Sequence, residues 1–400
     1  MTRHQLSSSR TTAMILVLGL LTIFPPLATD MYLSAIGHVA SSLNSSRAAA
    51  ELSLSLFFLG LCIGQLIMGP LIDAYGRKRP LMLGIAIFCL SSLALIQVEN
   101  IWLFNALRLI QAIGACTGMV VSRAIVNDLY EGQEAAKVMT LLVMLLTVGP
   151  IISPTLGSLL LEAFGWRSIF ICMLSVGVVA FILGYFILPE TLAKDLRVQR
   201  PFVNGAQAAK RLLNQASFLK PTLIAGLIQG GMFSFITGSS GVFQTKFGLS
   251  ALQYGFTFAG IALALFVFGR INTLLLNKFL PLAILKRALV GQLVIASLLL
   301  AASFIDSLVL LVIPLWFAIG FVALISANAM ALAMSAAKSS SGIGSALLGA
   351  IQFSIAFIVS TSVAVAGSGS ATPMALGFVI PCIIALGLAK TVRPSPPVAA

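Results

Sequence analysis

Charge is what this 400-residue chain has least of: only 9% of its residues are charged and 59% are apolar, where ordinary globular chains carry roughly a quarter charged. That shortage excludes a soluble protein. Histidine is almost absent, with His4 in a tail and His38 in an outer loop, and both read as solvated. No His-Glu-x-x-His and no repeated acidic ring occurs, which argues against an intramembrane enzyme or a channel. Gly-x-x-x-x-Gly-Lys-Ser/Thr is also missing, so nothing suggests a nucleotide motor. The five cysteines, Cys62, Cys89, Cys116, Cys172 and Cys382, all sit in apolar runs. There they read as small packers, not as a disulfide framework, and they say nothing about redox compartment.

What the chain has is apolar length. A transmembrane helix needs about 20 mostly apolar residues. Charge-free runs of that order cover 11–29, 52–72, 80–98, 138–161, 168–189, 221–245, 247–269, 288–305 and 307–337. The stretch 100–122 is broken only by Arg108, and the long run 339–389 splits at Gly-Ser-Gly-Ser-Ala-Thr-Pro, 367–373. The expected fold is therefore all-α integral membrane, with twelve transmembrane helices. The 24 basic and 11 acidic residues give a net charge of +13. With both termini in the cytoplasm, only Arg47, Arg167 and Lys246 fall in outer loops and Arg108 in a helix. The positive charge is then mostly topology, and no nucleic-acid partner is expected. A cleaved signal peptide is the weaker reading of the first run, which follows Arg3 and Arg10 and ends at Asp30.

Residues 190–220 carry six basic and two acidic residues and interrupt the short-loop rhythm. They divide the chain into an N-terminal six-helix bundle, 1–189, a cytoplasmic linker, 190–220, and a C-terminal six-helix bundle, 221–400, around a midplane site. Within the linker, Asn204 to Ser217 fits either a short basic amphipathic helix on the membrane surface or a plain solvated loop.

The strongest local pattern is Gly69-Pro70-Leu71-Ile72-Asp73-Ala74-Tyr75-Gly76-Arg77-Lys78-Arg79-Pro80, between spans two and three. Gly76 would permit a tight reversal and Gly69 a close helix contact. Asp73 would cap a neighbouring helix, while the Arg-Lys-Arg run would stay at the lipid surface or pair with acids.

In this loop the sequence resembles the major facilitator superfamily, and the resemblance covers nearly the whole chain. Asp30-Met31-Tyr32-Leu33, Gly64-Gln65, Asp128-Leu129-Tyr130 and Pro189-Glu190-Thr191 narrow it to the bicyclomycin/chloramphenicol-resistance branch of drug:proton antiporters. Gly231-Met232-Phe233-Ser234-Phe235 and Asn328-Ala329-Met330-Ala331 extend the likeness into the second half. The resemblance implies drug efflux. Ser34 stands where the family usually has Pro, and Asn127 where an Arg commonly precedes Asp128, so the family's charge relay to the helix-two loop is expected to be altered here. Asp73, Arg77 and Asp128 remain as gate candidates with Gly69 and Gly76.

An ionisable group inside a span is a functional hypothesis by default, which singles out Asp30 and Arg108 as the proton-coupling pair. Asp30 follows a Phe24-Pro25-Pro26 break that frees backbone acceptors. Arg108 opens Arg108-Leu109-Ile110-Gln111-Ala112-Ile113-Gly114, similar to the family's helix-four motif associated with proton transfer. The competing reading is a fixed intramembrane ion pair holding helices one and four together. Glu51, at the outer end of helix two, reads as a helix cap, and Glu162 and Asp306 as solvated. The second half has no charge in the middle of any span, since Arg270 falls at a helix end, so a proton carrier is expected in the first half.

Gly149-Pro150-Ile151-Ile152-Ser153-Pro154-Thr155-Leu156-Gly157-Ser158 resembles the family's helix-five antiporter motif, with Gly149, Pro150, Pro154 and Gly157 as its groove and bend. Simple helix packing is the alternative. Tyr32, Gln111, Met144, Gln229, Met232, Phe233, Phe235, Asn328 and Gln352 are the candidate substrate lining, because apolar walls with a few amides suit an amphipathic organic molecule. Lipid contact or core packing is the alternative for each Phe and Met.

The expectation is thus a monomeric exporter in a bacterial inner membrane, moving small amphipathic compounds in exchange for protons, needing no metal or cofactor and surrounded by membrane lipid. A dedicated metabolite or siderophore exporter of the same fold, or an uncoupled facilitator, stays open beside it.

Overall fold

The computed structural model describes residues 8–130, 132–199, 201–337, 341–367 and 369–392. These residues form helices and turns, and each of the twelve apolar runs falls on helix. In order they are α1 (Ser8–Thr22), α2 (Phe24–Asp30), α3 (Ile36–Ser42), α4 (Arg47–Tyr75), α5 (Lys78–Gln97), α6 (Ile101–Leu129), α7 (Gly132–Phe164) and α8 (Arg167–Ile187). Then follow α9 (Pro201–Leu213), α10 (Ala216–Ser240), α11 (Ala251–Leu276), α12 (Pro281–Ala302), α13 (Leu308–Ala336), α14 (Ser341–Ala366) and α15 (Thr372–Lys390). Among the described residues, 11 segments are long and apolar enough to cross a membrane, the first being Thr12–Ser42 taken as one span. The other crossing falls on α7, which is 33 residues long, or about 50 Å at 1.5 Å per residue.

Several helices outrun their charge-free windows. Ser46 caps α4 by accepting from Ala49 N, and Asn100 caps α6 by accepting from Trp102 N and Leu103 N. The Ser46 cap starts α4 at Arg47, ahead of the charge-free run that opens at residue 52. At the other end, α6 continues past Arg123 to Leu129. A gap between charges understates such a helix, because charged side chains ride on the turns that flank the hydrocarbon.

The chain folds as two compact units: residues up to Gly205 with Ser250–Ala259, and Ala206–Leu249 with Gly260 onward. In the first, glycines let α4 and α6 close on each other. A Cβ on Gly60 would lie 2.7 Å from Ala112 Cβ, and one on Gly64 2.7 Å from Cys116 Cβ. In the second, α10 packs against α13, α14 and α15. Helix α9 is ordered, and its Leu212 joins Phe218, Ala333, Ala337, Leu347 and Leu348 in an apolar cluster. The loop reading of that segment is thereby replaced by a docked helix. The five cysteines are free thiols.

Candidate transport site

Helix one is interrupted twice, and Asp30 lies at the second interruption. Pro25 and Pro26 open α2 without backbone N–H groups, so α1 ends at Thr22 and the chain restarts at Phe24. After Asp30 a 3₁₀ turn over Leu33–Ala35 leads into α3. Asp30 is 2% exposed, and Thr29 Oγ1 donates to its Oδ1 at 2.8 Å. The same hydroxyl lies 3.0 Å from Pro25 O, one of the carbonyls exposed by the break.

Arg108 does not pair with Asp30. Its guanidinium donates to Ala28 O at 2.8 Å and to Gln111 Oε1 at 2.6 Å. The guanidinium carbon sits 4.5 Å from the Phe57 ring centre and 4.9 Å from that of Tyr32. Arg108 thus holds a carbonyl of broken helix one, two residues before Asp30, and leaves the carboxyl without a cation among the described residues. The fixed ion pair considered from the sequence is absent there. Gln111 is also engaged at both ends, donating through Nε2 to Ser92 Oγ at 2.8 Å, and it is fully buried. Tyr32 is fully buried too, bonded through its hydroxyl to Ala50 O and Ser53 Oγ.

The helix-five glycines pack on this broken segment. A Cβ on Gly149 would meet Pro26 Cγ at 2.9 Å, and one on Gly157 would meet the backbone of Met31, 2.7 Å from its Cα and C and closer still to its O. Pro150 and Pro154 lie between them inside α7, and Ser158 Oγ takes up Pro154 O at 2.8 Å. Met144 has a side chain outside the described residues.

At the end of the unit where α4 meets α5, one arginine gathers two acids. Arg77 Nε and Nη2 clasp Asp128 at 2.9 and 3.2 Å, while Nη1 reaches Asp73 Oδ1 at 2.6 Å and Ile72 O at 3.1 Å. Burial works against the Arg77 charge, but Asp128 and Asp73 outweigh it and hold its pKa above the usual value. Asp73 therefore serves as an ion-pair partner, not as the helix cap expected from the sequence. Gly76 makes the reversal at φ +89°. The cap on α5 is Glu190, which accepts from Arg77 N at 2.8 Å and Lys78 N at 3.2 Å. Its neighbour Thr191 donates to Asp128 Oδ2 at 2.6 Å. In the sequence Glu190 stands only as part of Pro189-Glu190-Thr191, and its acidity opposite a basic loop is the signal for this role. Asn127 leaves this network intact, because Arg77 takes Asp128 directly. Gly69 lies half-buried in α4 just before Pro70. Glu51 is buried and paired with Arg47 Nε at 3.0 Å, and the cap of α4 is Ser46, not Glu51.

In the second unit, Gln229 and Phe233 fall on one face of α10. Phe233 stands 6.0 Å from Phe353, ring centre to ring centre, and the preceding Gln352 approaches α10 at Gly226. Gln352 is 7% exposed, and its Nε2 has no partner among the described residues. Met232 is half-buried on the same helix, and Phe235 meets Phe243 edge to face at 6.4 Å between ring centres. Asn328 belongs to a different pair, donating to Asn272 Oδ1 at 2.6 Å between α13 and α11. Asn272 was missed in the sequence, where an amide inside an apolar run was the only sign.

A chain of membrane-crossing helices with a broken first helix, a buried carboxyl at the break and a charge cluster where α4 meets α5 is the architecture of a secondary transporter. The family model described as Major Facilitator Superfamily matches residues 18–361, and the chain belongs to that superfamily; it is a multi-pass membrane transporter, not an enzyme. It is 33% identical over 378 residues, 93% of each chain, to an uncharacterized MFS-type transporter, YdgK, of Bacillus subtilis. A bicyclomycin resistance protein homolog of Haemophilus influenzae is 29% identical over 90% of this chain and 91% of its own. The multidrug resistance protein MdtL of Shigella flexneri is 30% identical over 95% of both. These relatives support the drug:proton antiporter branch. Among solved structures, the D-xylose-proton symporter superposes with TM-score 0.75 at 16% identity, covering 96% of this chain and 98% of that one. That likeness concerns the fold.

Proposed function

We propose that this protein exports small amphipathic organic compounds in exchange for protons, by alternating access of two six-helix bundles, 1–189 and 221–400, joined by a linker at 190–220. The observation that carries the reading is the Asp30 carboxyl: buried in a broken transmembrane helix, held by Thr29 and joined to no cation among the described residues. An uncompensated carboxylate in such a place costs several kcal/mol. A proton neutralises it. In the proposed cycle Asp30 takes a proton from outside, releases substrate, and gives the proton up when it faces the cytoplasm. Arg108 fixes the break that presents it. An inward-negative potential adds about 2.3 kcal/mol per 100 mV to that proton's entry. The relatives named for bicyclomycin and multidrug resistance support an organic substrate. The Phe233–Phe353 ring pair, with the buried amide of Gln352 next in sequence to Phe353, supports an amphipathic one. The Asp73–Arg77–Asp128 cluster with Glu190 acts as the latch at the inner end, and both termini lie on that side of a bacterial inner membrane. The transporter works as a monomer without cofactor.

The test uses purified protein in phospholipid vesicles loaded at acid pH and diluted into neutral buffer. An antiporter accumulates ethidium and chloramphenicol, and a protonophore abolishes the accumulation. Equilibration to the same level with and without the gradient would mean an uncoupled facilitator, and no movement of either compound would remove the export reading.

A further inference from the structure

In the first unit Arg77 and Arg108 each hold several acceptors, although the buried Nε of Arg108 has no hydrogen-bond partner among the described residues. Arg77 holds Asp73 and Asp128, while Arg108 holds Ala28 O and Gln111 under aromatic rings. Arg123 is different. It lies inside α6, six residues before the helix ends, and is half-buried. It has no hydrogen bond, ion pair or ring contact among the described residues.

Its direction follows from the helix. Ala112, Cys116 and Met119 form the face of α6 that meets α4: Ala112 against Gly60, Cys116 against Gly64, and Met119 Sδ with Gln65 Nε2 at 3.7 Å. Arg123 is seven residues after Cys116 and four after Met119, on the same face. Long side chains on a helix lean toward its N-terminus, which carries this guanidinium toward the middle of the span and away from the inner end. The titratable side chain two turns N-terminal on this face of α6 is the Cys116 thiol. Asp73 and Asp128, on the flanking turns, are taken by Arg77.

A guanidinium presents five N–H donors in a plane matched to an oxyanion. Left bare in hydrocarbon they would cost several kcal/mol, so the exposed part of Arg123 borders water, not lipid tails. A cation held at that depth with no protein acceptor is an unfilled half of an ion pair.

We propose that Arg123 binds the anionic group of the transported compound, so that the exporter accepts amphipathic molecules carrying a carboxylate or similar oxyanion. This rests on the export reading above and narrows its substrate class. A phospholipid phosphate offers the same oxyanion chemistry, but the lean of Arg123 toward Cys116 turns it from the headgroup layer.

The test uses the full-length protein and two probes that differ only at the acid: rhodamine B, with a free carboxylate, and its ethyl ester. Both are followed in gradient-driven uptake into vesicles and by fluorescence anisotropy in dodecylmaltoside without phospholipid. For Arg123→Gln, uptake and binding of rhodamine B fall about tenfold or more, as loss of a charge-assisted hydrogen bond implies. The ester is unaffected, and Arg123→Lys restores part of the rhodamine B signal. Equal handling of both dyes by Arg123→Gln and wild type overturns the proposal, as does loss of both together, which marks a structural arginine. Unchanged binding in detergent with a defect confined to vesicles containing phosphatidylglycerol overturns it in favour of a lipid contact. Wild type that moves the ester but not rhodamine B overturns the proposal and leaves export standing. Wild type that moves neither dye, nor ethidium, removes the export reading and this proposal with it.

Discussion

Gly157→Ala is the substitution whose effect the structure fixes most tightly. The added methyl would lie 2.7 Å from both Met31 Cα and Met31 C and would overlap Met31 O. Carbon atoms rest at about 3.5–4.0 Å, so α7 and broken helix one must separate by roughly 1 Å. The obstacle is backbone on both sides and has no rotamer to change. Overpacking of this kind costs about 1–3 kcal/mol. The functional cost is larger, because Met31 follows Asp30, and a shift of about 1 Å at a reacting group lowers rates on the order of a hundredfold. Gradient-driven ethidium uptake, normalised to reconstituted protein, should drop accordingly, with a lower thermal midpoint in detergent. Gly149→Ala presses on the Pro26 ring at 2.9 Å and should give a milder loss. Gly387→Ala, with nothing within 4 Å, is the neutral comparison. Wild-type uptake and midpoint in Gly157→Ala would refute the packing of helix five on the Asp30 segment.

Arg77→Gln leaves Asp128, with a side chain 18% exposed, short of its main partner. The cost is about 2 kcal/mol, below the roughly 3–5 of a fully buried broken pair, because Thr191 still donates to it. Asp73→Asn costs less, about 0.5 kcal/mol, since that side chain is 48% exposed. Thermal midpoints should rank wild type, Asp73→Asn, Arg77→Gln in falling order, and the reverse order of the two variants would contradict the latch geometry. Asn272→Leu strips Asn328 Nδ2 of one of its two acceptors and should lower stability by about 1–3 kcal/mol. Adding Asn328→Leu should cost less than the sum of the single changes, and strict additivity would mean the amides do not interact.

Much of the fold was legible because apolar length and charge placement are local properties of the chain. The break in helix one could be read from Pro25-Pro26, and Asp30 from its position in an apolar run. The partners could not, because they are set by packing between distant segments. Nothing in the sequence says that Gly157 meets Met31, or that Arg108 prefers Ala28 O to a carboxylate. Gln111 stood in the sequence as a substrate contact, yet its amide is consumed by Arg108 and Ser92, as a buried polar group must be. Arg123 lies just beyond the charge-free stretch, which ends at Ser122, while the helix, capped far upstream at Asn100, runs on to Leu129.

The central claim is that the Asp30 carboxyl carries the coupling proton, and Asp30→Asn tests it most directly. The amide keeps the size and the Thr29 contact but holds no exchangeable charge. In vesicles with an imposed pH gradient, Asp30→Asn should lose uphill ethidium accumulation while retaining ethidium exchange at equal pH and normal membrane assembly. Gradient-driven accumulation at the wild-type level in Asp30→Asn would contradict the account.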